Sequence, residues 1–185
     1  MLFTIGHSNH PIAHFLALLQ QHAIAALADV RSVPYSRRHP QFSRGPLAQS
    51  LAADGIDYLF LGDELGARPK DPACYVDGAV DYDRIAARPA FAAGLARVRA
   101  EVGMRRVALM CAEREPLDCH RVMLVCRHLR GGDPAIAHIL ADGTLDPHEA
   151  LERRLVERRG LVPPPLLGEA AWPQAIADAY AHTRR

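Results

Sequence analysis

Short runs of apolar residues alternate with helical patterns along most of the chain. Five of these runs have the length and composition of buried strands: Leu2–Ile5, Ile24–Val30, Ile56–Leu61, Arg106–Cys111 and Ala135–Leu140. Between them, apolar side chains recur every three or four residues, as Phe15, Leu16 and Leu19 do after Pro11, which is typical of amphipathic helices. This order predicts an α/β fold: a mostly parallel five-stranded sheet, Rossmann-like or flavodoxin-like, with helices on both faces.

The end of the chain differs in character from the rest. A charged helix predicted at His148–Arg159 leads into the Pro-rich connector LVPPPLLG and a final helix predicted at Trp172–His182. We therefore divide the chain into an α/β domain of residues 1–161 and a C-terminal helical extension of residues 162–185. The extension packs on its own domain or forms a homodimer. Within the domain, the long polar loop of residues 62–81 is predicted to be lid-like.

The composition excludes several classes of protein. The 185 residues carry 22 basic and 21 acidic side chains, a formal net charge of +1, so no overall field points to a nucleic-acid or membrane partner. No segment reaches the roughly 18 apolar residues that span a bilayer, and the start MLFTIGHSNH has no features of a secretory signal. We therefore expect a cytoplasmic protein with no membrane partner, in which the four cysteines are reduced thiols.

Polar residues of unusual kinds follow three of the predicted strands. The first strand leads into His7 and Ser8, the second ends beside Asp29 and Arg31, and the fourth ends at Cys111. Right-handed crossovers bring the carboxyl ends of parallel strands to one edge of the sheet. Ligands bind at that edge, near the point where the strand order reverses. We therefore expect these three groups to meet in one site.

The segment after the fourth strand carries the candidate catalytic residues. They are two thiols, a carboxylate and an imidazole: Cys111, Glu113, Cys119 and His120. A helix predicted at His120–Arg130, closed by Gly131-Gly132, would put Cys119 at a helix amino terminus, which favours a thiolate. The histidine then serves as acid or base, and Glu113 orients a histidine or transfers a proton. The alternative is that Cys111 is a buried apolar residue and Cys119 an ordinary first-turn residue.

Metal binding is a further interpretation of the same segment. Cys111, Cys119 and His120, together with His7, would supply four ligands for zinc. The gap of seven residues between the two cysteines is not a standard finger spacing, and an adjacent Cys and His rarely bind one ion. We therefore predict no metal and no other cofactor from the sequence.

A basic loop with aromatic residues follows the second strand. Guanidinium groups bind phosphate with two parallel hydrogen bonds, and aromatic rings stack on bases. The candidate substrate-binding residues come from this loop and from the neighbouring strand ends: His7, Ser8, Asp29, Arg31, Tyr35, Arg37, Arg38, Phe42 and Arg121. They predict a phosphorylated small molecule or a nucleic acid as partner. The alternative is a solvated loop whose Tyr35 and Phe42 pack back on the domain.

Four ordered motifs resemble those of a known family. They are TIGHS, DVRSVPYSRRHPQFS, YLFLGDELG and MCAEREPLDCHR, and the later segment HEALERRLVERRGL adds to them. Over Met1–Leu161 the chain is similar to the bacterial family catalogued as domain of unknown function 488. The resemblance implies a compact α/β domain and assigns no activity. It maps the family's signature onto twelve positions: His7, Ser8, Asp29, Arg31, Arg37, Pro40, Phe42, Cys111, Glu113, Cys119, His120 and Arg121.

Two hypotheses for the function follow. The first is an enzyme with a Cys/His site at the carboxyl edge of the sheet, a thiol-dependent transferase or hydrolase acting on a nucleotide or a nucleic-acid-like substrate. The second is a non-catalytic module that binds a nucleotide or nucleic acid and whose cysteines are structural. A cysteine that is alkylated well below about pH 8 would favour the enzyme, because it indicates an activated thiolate.

Overall fold

In the computed structural model, which describes residues 1–131 and 134–181, strands and helices alternate along the chain. The strands are β1 (Leu2–Gly6), β2 (Ala26–Asp29), β3 (Asp57–Phe60), β4 (Tyr75–Val76), β5 (Ala79–Val80), β6 (Val107–Cys111), β7 (Ile136–Ile139) and β8 (Leu145–Pro147). The α-helices are α1 (Ile12–Gln21), α2 (Arg44–Ala53), α3 (Gly62–Leu65), α4 (Tyr82–Ala86), α5 (Pro89–Met104), α6 (His148–Arg158) and α7 (Trp172–Ala181). Gly132 of the predicted helix stop and His182 of the predicted last helix lie outside the described residues.

The main sheet has six strands in the order β3-β2-β6-β1-β7-β8. The first five of these pair in parallel, and they correspond to the five predicted strands. The sixth, β8, runs antiparallel to β7 at the edge, so the prediction of a five-stranded sheet is wrong by one strand. Leu145–Pro147 has only three residues and no apolar run, which explains why the hydrophobic pattern does not reveal it.

The strand order differs from the orders of the two folds named in the prediction. Counted along the chain, the five parallel strands lie in the order 3-2-4-1-5, because β6 is inserted between β2 and β1. A Rossmann sheet has the order 3-2-1-4-5 and a flavodoxin-like sheet 2-1-3-4-5. The finding is therefore an α/β fold with a mostly parallel sheet. All five runs are similarly apolar, so their pattern cannot specify which strands are neighbours.

Helices cover both faces of this sheet. Side chains of Leu2, Ala28 and Leu109 pack on one face against α5, α6 and α7. Phe3 and Leu27 face the opposite side and pack against α1 and α2. Successive residues of a strand point to opposite faces, and a strand buried on both faces therefore reads as a continuous apolar run, which is the pattern from which the strands were predicted.

The segment after β6 is helical but not α-helical. Arg121–Val125 forms a π-helical turn and Cys126–His128 a 3₁₀ turn, where the sequence predicts one helix over His120–Arg130. Every side chain of the π-helical turn is buried. Such turns are uncommon and occur frequently at functional sites, and they have no sequence signature that periodicity would detect.

The two segments predicted as loop and extension both contain regular structure. Residues 62–81 include α3 and the hairpin of β4 and β5, and their role as a lid stays a prediction. In the extension, α7 packs on α6, with Ala175, Ala179 and Tyr180 in the core. The described part of the extension therefore packs on its own domain, and the homodimer stays a prediction.

Two findings concern the predicted absence of a membrane span and the predicted state of the cysteines. Among the described residues, no helix combines the length and the apolar character that a membrane crossing requires. All four cysteines are free thiols, as predicted. Cys126 is fully buried in the core.

A chain of buried polar side chains crosses from β1 to α6. His138 Nδ1 lies 2.8 Å from Thr4 Oγ1, and His138 Nε2 lies 3.0 Å from His148 Nδ1. His148 Nε2 in turn lies 3.4 Å from Glu152 Oε1. Burial, together with the charges of His148, Arg121 and Arg154, lowers the pKa of His138 to about 2. His138 is therefore neutral in the folded protein.

The neutral His138 makes stability depend on pH. In the unfolded chain this imidazole binds a proton near its ordinary pKa of about 6.5, whereas in the folded chain its pKa is about 2. The unfolded state thus binds more protons below about pH 6.5, and folding is destabilised as the pH falls. We expect the titration of His138 to lower the free energy of unfolding by about 2 kcal/mol when the pH falls from 7 to about 5.

The measurement is urea unfolding followed by circular dichroism at several pH values. His138→Asn should remove about 2 kcal/mol of the pH dependence while retaining a hydrogen-bonding group toward Thr4. His14→Asn, at an exposed position on α1, should leave the pH dependence unchanged. If His138→Asn shows the wild-type dependence on pH, this explanation is wrong.

Candidate functional site

The carboxyl ends of three neighbouring strands form the edge at which the site lies. β2, β6 and β1 are adjacent, Gly6 of β1 pairs with Cys111 of β6, and Asp29 of β2 pairs with Met110. The chain passes directly from β1 to β2 and returns later to insert β6 between them. This is the reversal of direction beside which ligands bind in open α/β sheets.

A cleft of about 690 Å³ opens at this edge. Nine of the predicted site residues line it: His7, Ser8, Arg31, Tyr35, Arg37, Arg38, Cys111, Glu113 and His120. Four others do not line it: Asp29, Phe42, Cys119 and Arg121. The three groups predicted from strand ends therefore meet in space, whereas the assignment of each residue to catalysis or binding stays a prediction.

Four side chains at the floor of the cleft and directly behind it form a group that we call the Cys/His cluster: Cys111, Glu113, Cys119 and His120. The thiols of Cys111 and Cys119 both donate to Glu113 Oε2, at 2.8 and 3.1 Å. His120 Nδ1 lies 3.5 Å from Cys111 Sγ. The ligand atoms of all four residues lie within 4.8 Å of one another. Two sulfurs, a carboxylate and an imidazole thus converge on one point.

A hydrogen bond from the ring nitrogen that faces away from the sulfurs fixes the orientation of His120. Its Nε2 lies 2.9 Å from the backbone carbonyl of Val30, just beyond β2. A carbonyl can only accept, so Nε2 carries the hydrogen and donates it. Nδ1 therefore points at the sulfurs of the Cys/His cluster. His120 stands directly before the π-helical turn.

The two thiols differ in acidity and in access to the cleft. Burial raises the pKa of Cys111, and the neighbouring Cys119 and Glu113 raise it further. Burial also opposes ionisation of Cys119, but the Cys111 thiol, Arg121 and His120 together lower the pKa of Cys119. Cys111 lines the cleft, whereas Cys119 is fully buried behind it. The thiol that a substrate can reach is therefore the less acidic of the two.

The neighbours of His120 also shift its pKa. Burial opposes its charge, but the Cys119 thiolate, the Val30 carbonyl and Glu113 outweigh burial and raise the pKa of His120. The pKa values of Cys119 and His120 are therefore shifted in opposite directions.

Arg121 is buried and its guanidinium binds backbone carbonyls, which differs from its predicted role in binding substrate. Only 1% of its surface is exposed. Its guanidinium donates to the carbonyls of Glu113 and Arg114, at 2.6 and 3.1 Å. These bonds fix the loop that carries Glu113, and the backbone N–H of Arg121 lies 3.4 Å from Cys119 Sγ.

Asp29 and Arg31 form a buried ion pair beside the cleft. The guanidinium donates to both carboxylate oxygens, at 2.9 and 2.6 Å, and Tyr58 donates to the same carboxylate at 2.8 Å. Burial opposes the charge of Arg31, but Asp29 outweighs it and raises the pKa of the guanidinium. Asp29 is fully enclosed and positions Arg31. This differs from its predicted role, which was to bind the substrate directly.

His7 is held in one tautomer by its neighbours. Arg31 donates to Nε2 at 3.2 Å, so the hydrogen is on Nδ1, which donates to the Ser8 carbonyl at 2.9 Å. Burial lowers the pKa of His7 to about 4, and the imidazole is neutral. Phe42 stacks on the His7 ring, with centroids 4.3 Å apart. Phe42 is fully buried, and it therefore does not present a face on which a base could stack.

The rim of the cleft is basic. Arg37, Arg38 and Arg68 are exposed there, and within residues 1–131 and 134–181 no acidic side chain forms an ion pair with them. Glu113 is the acidic residue among those that line the cleft. The sequence analysis did not single out Arg68, because it lies in the long loop of residues 62–81. The backbone N–H of Arg68 donates to Ser32 Oγ at 2.8 Å, which holds that loop beside the end of β2.

Comparison with known protein families gives a match over the middle of the chain. The family described as Domain of unknown function DUF488 matches residues 11–127, more than half of the chain. The match includes Arg31, the basic rim and the Cys/His cluster, whereas His7, Ser8 and the HEALERRLVERRGL segment lie outside it. No curated protein and no solved structure shows significant similarity to the chain. The resemblance seen in the sequence motifs is confirmed, and the chain belongs to the DUF488 family.

Proposed function

We propose that the protein is an enzyme that acts on a phosphate-bearing substrate, a nucleotide or a nucleic-acid-like molecule, with the Cys/His cluster as its reactive centre. One observation carries this proposal. Cys111, Glu113 and His120 line the same cleft of about 690 Å³ as the arginines of the rim. Reactive side chains and an anion-binding surface thus face one volume that is large enough for a nucleotide-sized ligand.

The rim favours an anion with several oxygens. Guanidinium groups form charge-assisted, bidentate hydrogen bonds with phosphate. Arg37, Arg38 and Arg68 are free of carboxylate partners among the described residues, and binding an anion would break no ion pair there. Arg31 is different, because Asp29 already satisfies its charge.

The Cys/His cluster contains groups for proton transfer. Glu113 is exposed, and its Oε2 lies 2.8 Å from Cys111 Sγ, so the carboxylate can accept the thiol proton. Among the four cysteines, Cys111 is the one that lines the cleft, and a thiol-dependent transferase or hydrolase would use it as the nucleophile. Because its pKa is raised, the thiol would pass its proton to Glu113 as the sulfur forms a bond to phosphorus, while the P–O bond to the leaving group breaks and that oxygen keeps the electron pair.

Turnover of a phosphate-bearing substrate is the direct test. The purified chain would be incubated with p-nitrophenyl phosphate, nucleoside mono- and triphosphates and a single-stranded oligonucleotide, with products followed by chromatography and phosphorus NMR. We expect Glu113→Gln to lower kcat by about 10²-fold or more, because it removes a group that transfers protons. Glu149→Gln, at an exposed position in the first turn of α6, should retain wild-type kcat.

A second set of variants separates binding from chemistry. Arg37→Ala and Arg38→Ala should each raise KM by about tenfold or more, the value of a lost charge-assisted hydrogen bond. Their kcat should stay near that of wild type, as should both constants of the control Arg159→Ala, which lies outside the cleft. If no probe is turned over while the oligonucleotide binds with a steep dependence on salt, the protein is a binding module and the enzyme proposal is wrong.

A further inference from the structure

We infer that the Cys/His cluster binds one zinc ion, with Cys111, Cys119 and His120 as three ligands and Glu113 as an exposed fourth ligand. The sequence spacing argued against this site, because a Cys and a His that are adjacent rarely share an ion. Here they can share one, since His120 points its Nδ1 back at the sulfurs while its Nε2 is anchored on Val30.

The distances within the Cys/His cluster are close to those of a tetrahedral site. Around zinc, two sulfurs, a nitrogen and an oxygen at ordinary bond lengths are separated by about 3.4–3.8 Å. In the structure, Cys111 Sγ lies 2.8 Å from Glu113 Oε2 and 3.5 Å from His120 Nδ1. Cys119 Sγ lies 3.1 Å from the same Oε2, and no pair exceeds 4.8 Å. Shifts of about an ångström would create a central site of the size that zinc needs.

The surroundings of the ligands are those that metal sites use. Histidine ligands usually donate their second ring N–H to a carbonyl or carboxylate, which fixes the ring and raises its basicity. His120 makes this bond to Val30 at 2.9 Å. The backbone N–H of Arg121 lies 3.4 Å from Cys119 Sγ and faces it as a donor faces a thiolate. Two of the four ligands therefore already have outer partners.

The charge of Arg121 provides an independent argument. Its guanidinium is 1% exposed, bonds to backbone carbonyls only, and has an Nε with no hydrogen-bond partner among the described residues. No carboxylate forms an ion pair with Arg121 among the described residues, and a buried cation is costly unless negative charge nearby balances it. Two thiolates and one carboxylate around a divalent ion leave one negative charge, which the guanidinium of Arg121 balances.

The ligand types select the metal. Two thiolates with an imidazole are soft to borderline donors, which suit zinc and disfavour the hard ions magnesium and calcium. The zinc ligands considered and set aside from the sequence differ from this set at one position. His7, the fourth of those ligands, is engaged by Arg31 and Ser8 and does not belong to the Cys/His cluster, and Glu113 takes that place.

The position of the ion would bear on the chemistry. Cys111, Glu113 and His120 line the cleft, so a zinc ion among them would face it and could polarise a phosphoryl oxygen. The two sulfurs would then be ligands, not nucleophiles. This consequence rests on the proposed function, whereas metal binding itself can be measured without any turnover.

The experiment measures metal content by mass spectrometry in protein purified without chelator. We expect about one zinc ion per chain in the wild type, and below about a tenth of that in Cys111→Ala and Cys119→Ala. Cys126→Ala is the matched control, because Cys126 is equally buried but lies outside the Cys/His cluster. It should keep the wild-type zinc content.

Cobalt provides a readout that does not depend on whether a cysteine variant folds. Wild-type protein stripped with chelator and refilled with Co²⁺ should show the intense visible bands of a tetrahedral site and sulfur-to-metal charge transfer. Glu113→Gln, at an exposed position, should fold and bind zinc about tenfold or more weakly. The inference fails if the stripped wild type takes up neither ion, or if Cys126→Ala loses as much zinc as Cys111→Ala.

Activity assays distinguish this inference from the proposed function. Full turnover by metal-free protein would overturn the role of zinc in catalysis and leave the enzyme proposal standing. Stoichiometric zinc in a protein that turns over none of the phosphate-bearing probes would support the metal site and overturn the enzyme proposal.

Discussion

Asp29→Ala is expected to lower the free energy of unfolding by about 3–5 kcal/mol, because it leaves a buried guanidinium without its counter-charge. Asp29 is fully buried and Arg31 is 6% exposed, so water cannot replace the lost carboxylate. The carboxylate also accepts from Tyr58 and from the backbone N–H of Arg31, and these donors would lose their partner too. Chemical unfolding monitored by circular dichroism measures the change.

Asp57→Ala is the matched control for this prediction. Asp57 also forms an ion pair with an arginine, Arg105, but its side chain is 65% exposed. Exposed pairs contribute about 0–1 kcal/mol, so the control should lose no more than that. The double variant Asp29→Leu with Arg31→Met should recover much of the loss, because it removes both buried charges. An Asp29→Ala variant as stable as Asp57→Ala would contradict the assignment of a buried pair.

The strand ends could be predicted because one physical rule governs them. A strand buried on both faces is apolar throughout, so the first polar residue after it marks the edge of the sheet. His7 and Arg31 follow β1 and β2 in this way, and Cys111 closes β6. Parallel strands share the direction of their ends, so these groups lie at one edge of the sheet whichever strands are neighbours. Their meeting in one cleft also requires that β2, β6 and β1 are adjacent, and the sequence does not reveal this order.

The roles of individual side chains were less predictable, because they depend on which way a residue turns after the strand ends. Phe42 could have presented its ring to solvent, but it packs in the core on His7. Arg121 follows Cys119 and His120 directly, yet it points inward to the Glu113 carbonyl. A guanidinium or an aromatic ring suits both environments chemically, and only the packing of distant segments decides between them.

The convergence on Glu113 shows the same limit for the Cys/His cluster. The sequence indicates that two thiols, an imidazole and a carboxylate lie near one strand end. It does not indicate that one carboxylate oxygen lies within hydrogen-bond distance of both sulfurs. That arrangement requires the π-helical turn after His120 and the close approach of the Glu113 backbone to β1. Neither feature has a periodic pattern.

The close approach of Glu113 to β1 leads to a second large expected effect, in Gly6→Ala. A Cβ at position 6 would lie 2.0 Å from the Glu113 carbonyl oxygen and 2.9 Å from its carbon. Both are backbone atoms. The hydrogen bonds from Arg121 hold this backbone in place, so displacing the loop costs considerable free energy. We expect a loss of about 3 kcal/mol or more in unfolding free energy, measured by urea unfolding. The displaced loop should also carry the Glu113 carboxylate away from both sulfurs.

Gly45→Ala separates this steric effect from the general effect of replacing glycine. A Cβ at position 45, near the start of α2, would meet nothing within 4 Å. That variant should be neutral or more stable by about 0.5–1 kcal/mol, since alanine favours a helix over glycine. The two substitutions add the same methyl group, but their effects on the free energy of unfolding should have opposite signs. If Gly6→Ala were as stable as the wild type, the loop that carries Glu113 would be free to move, and the fixed geometry of the Cys/His cluster could not be maintained.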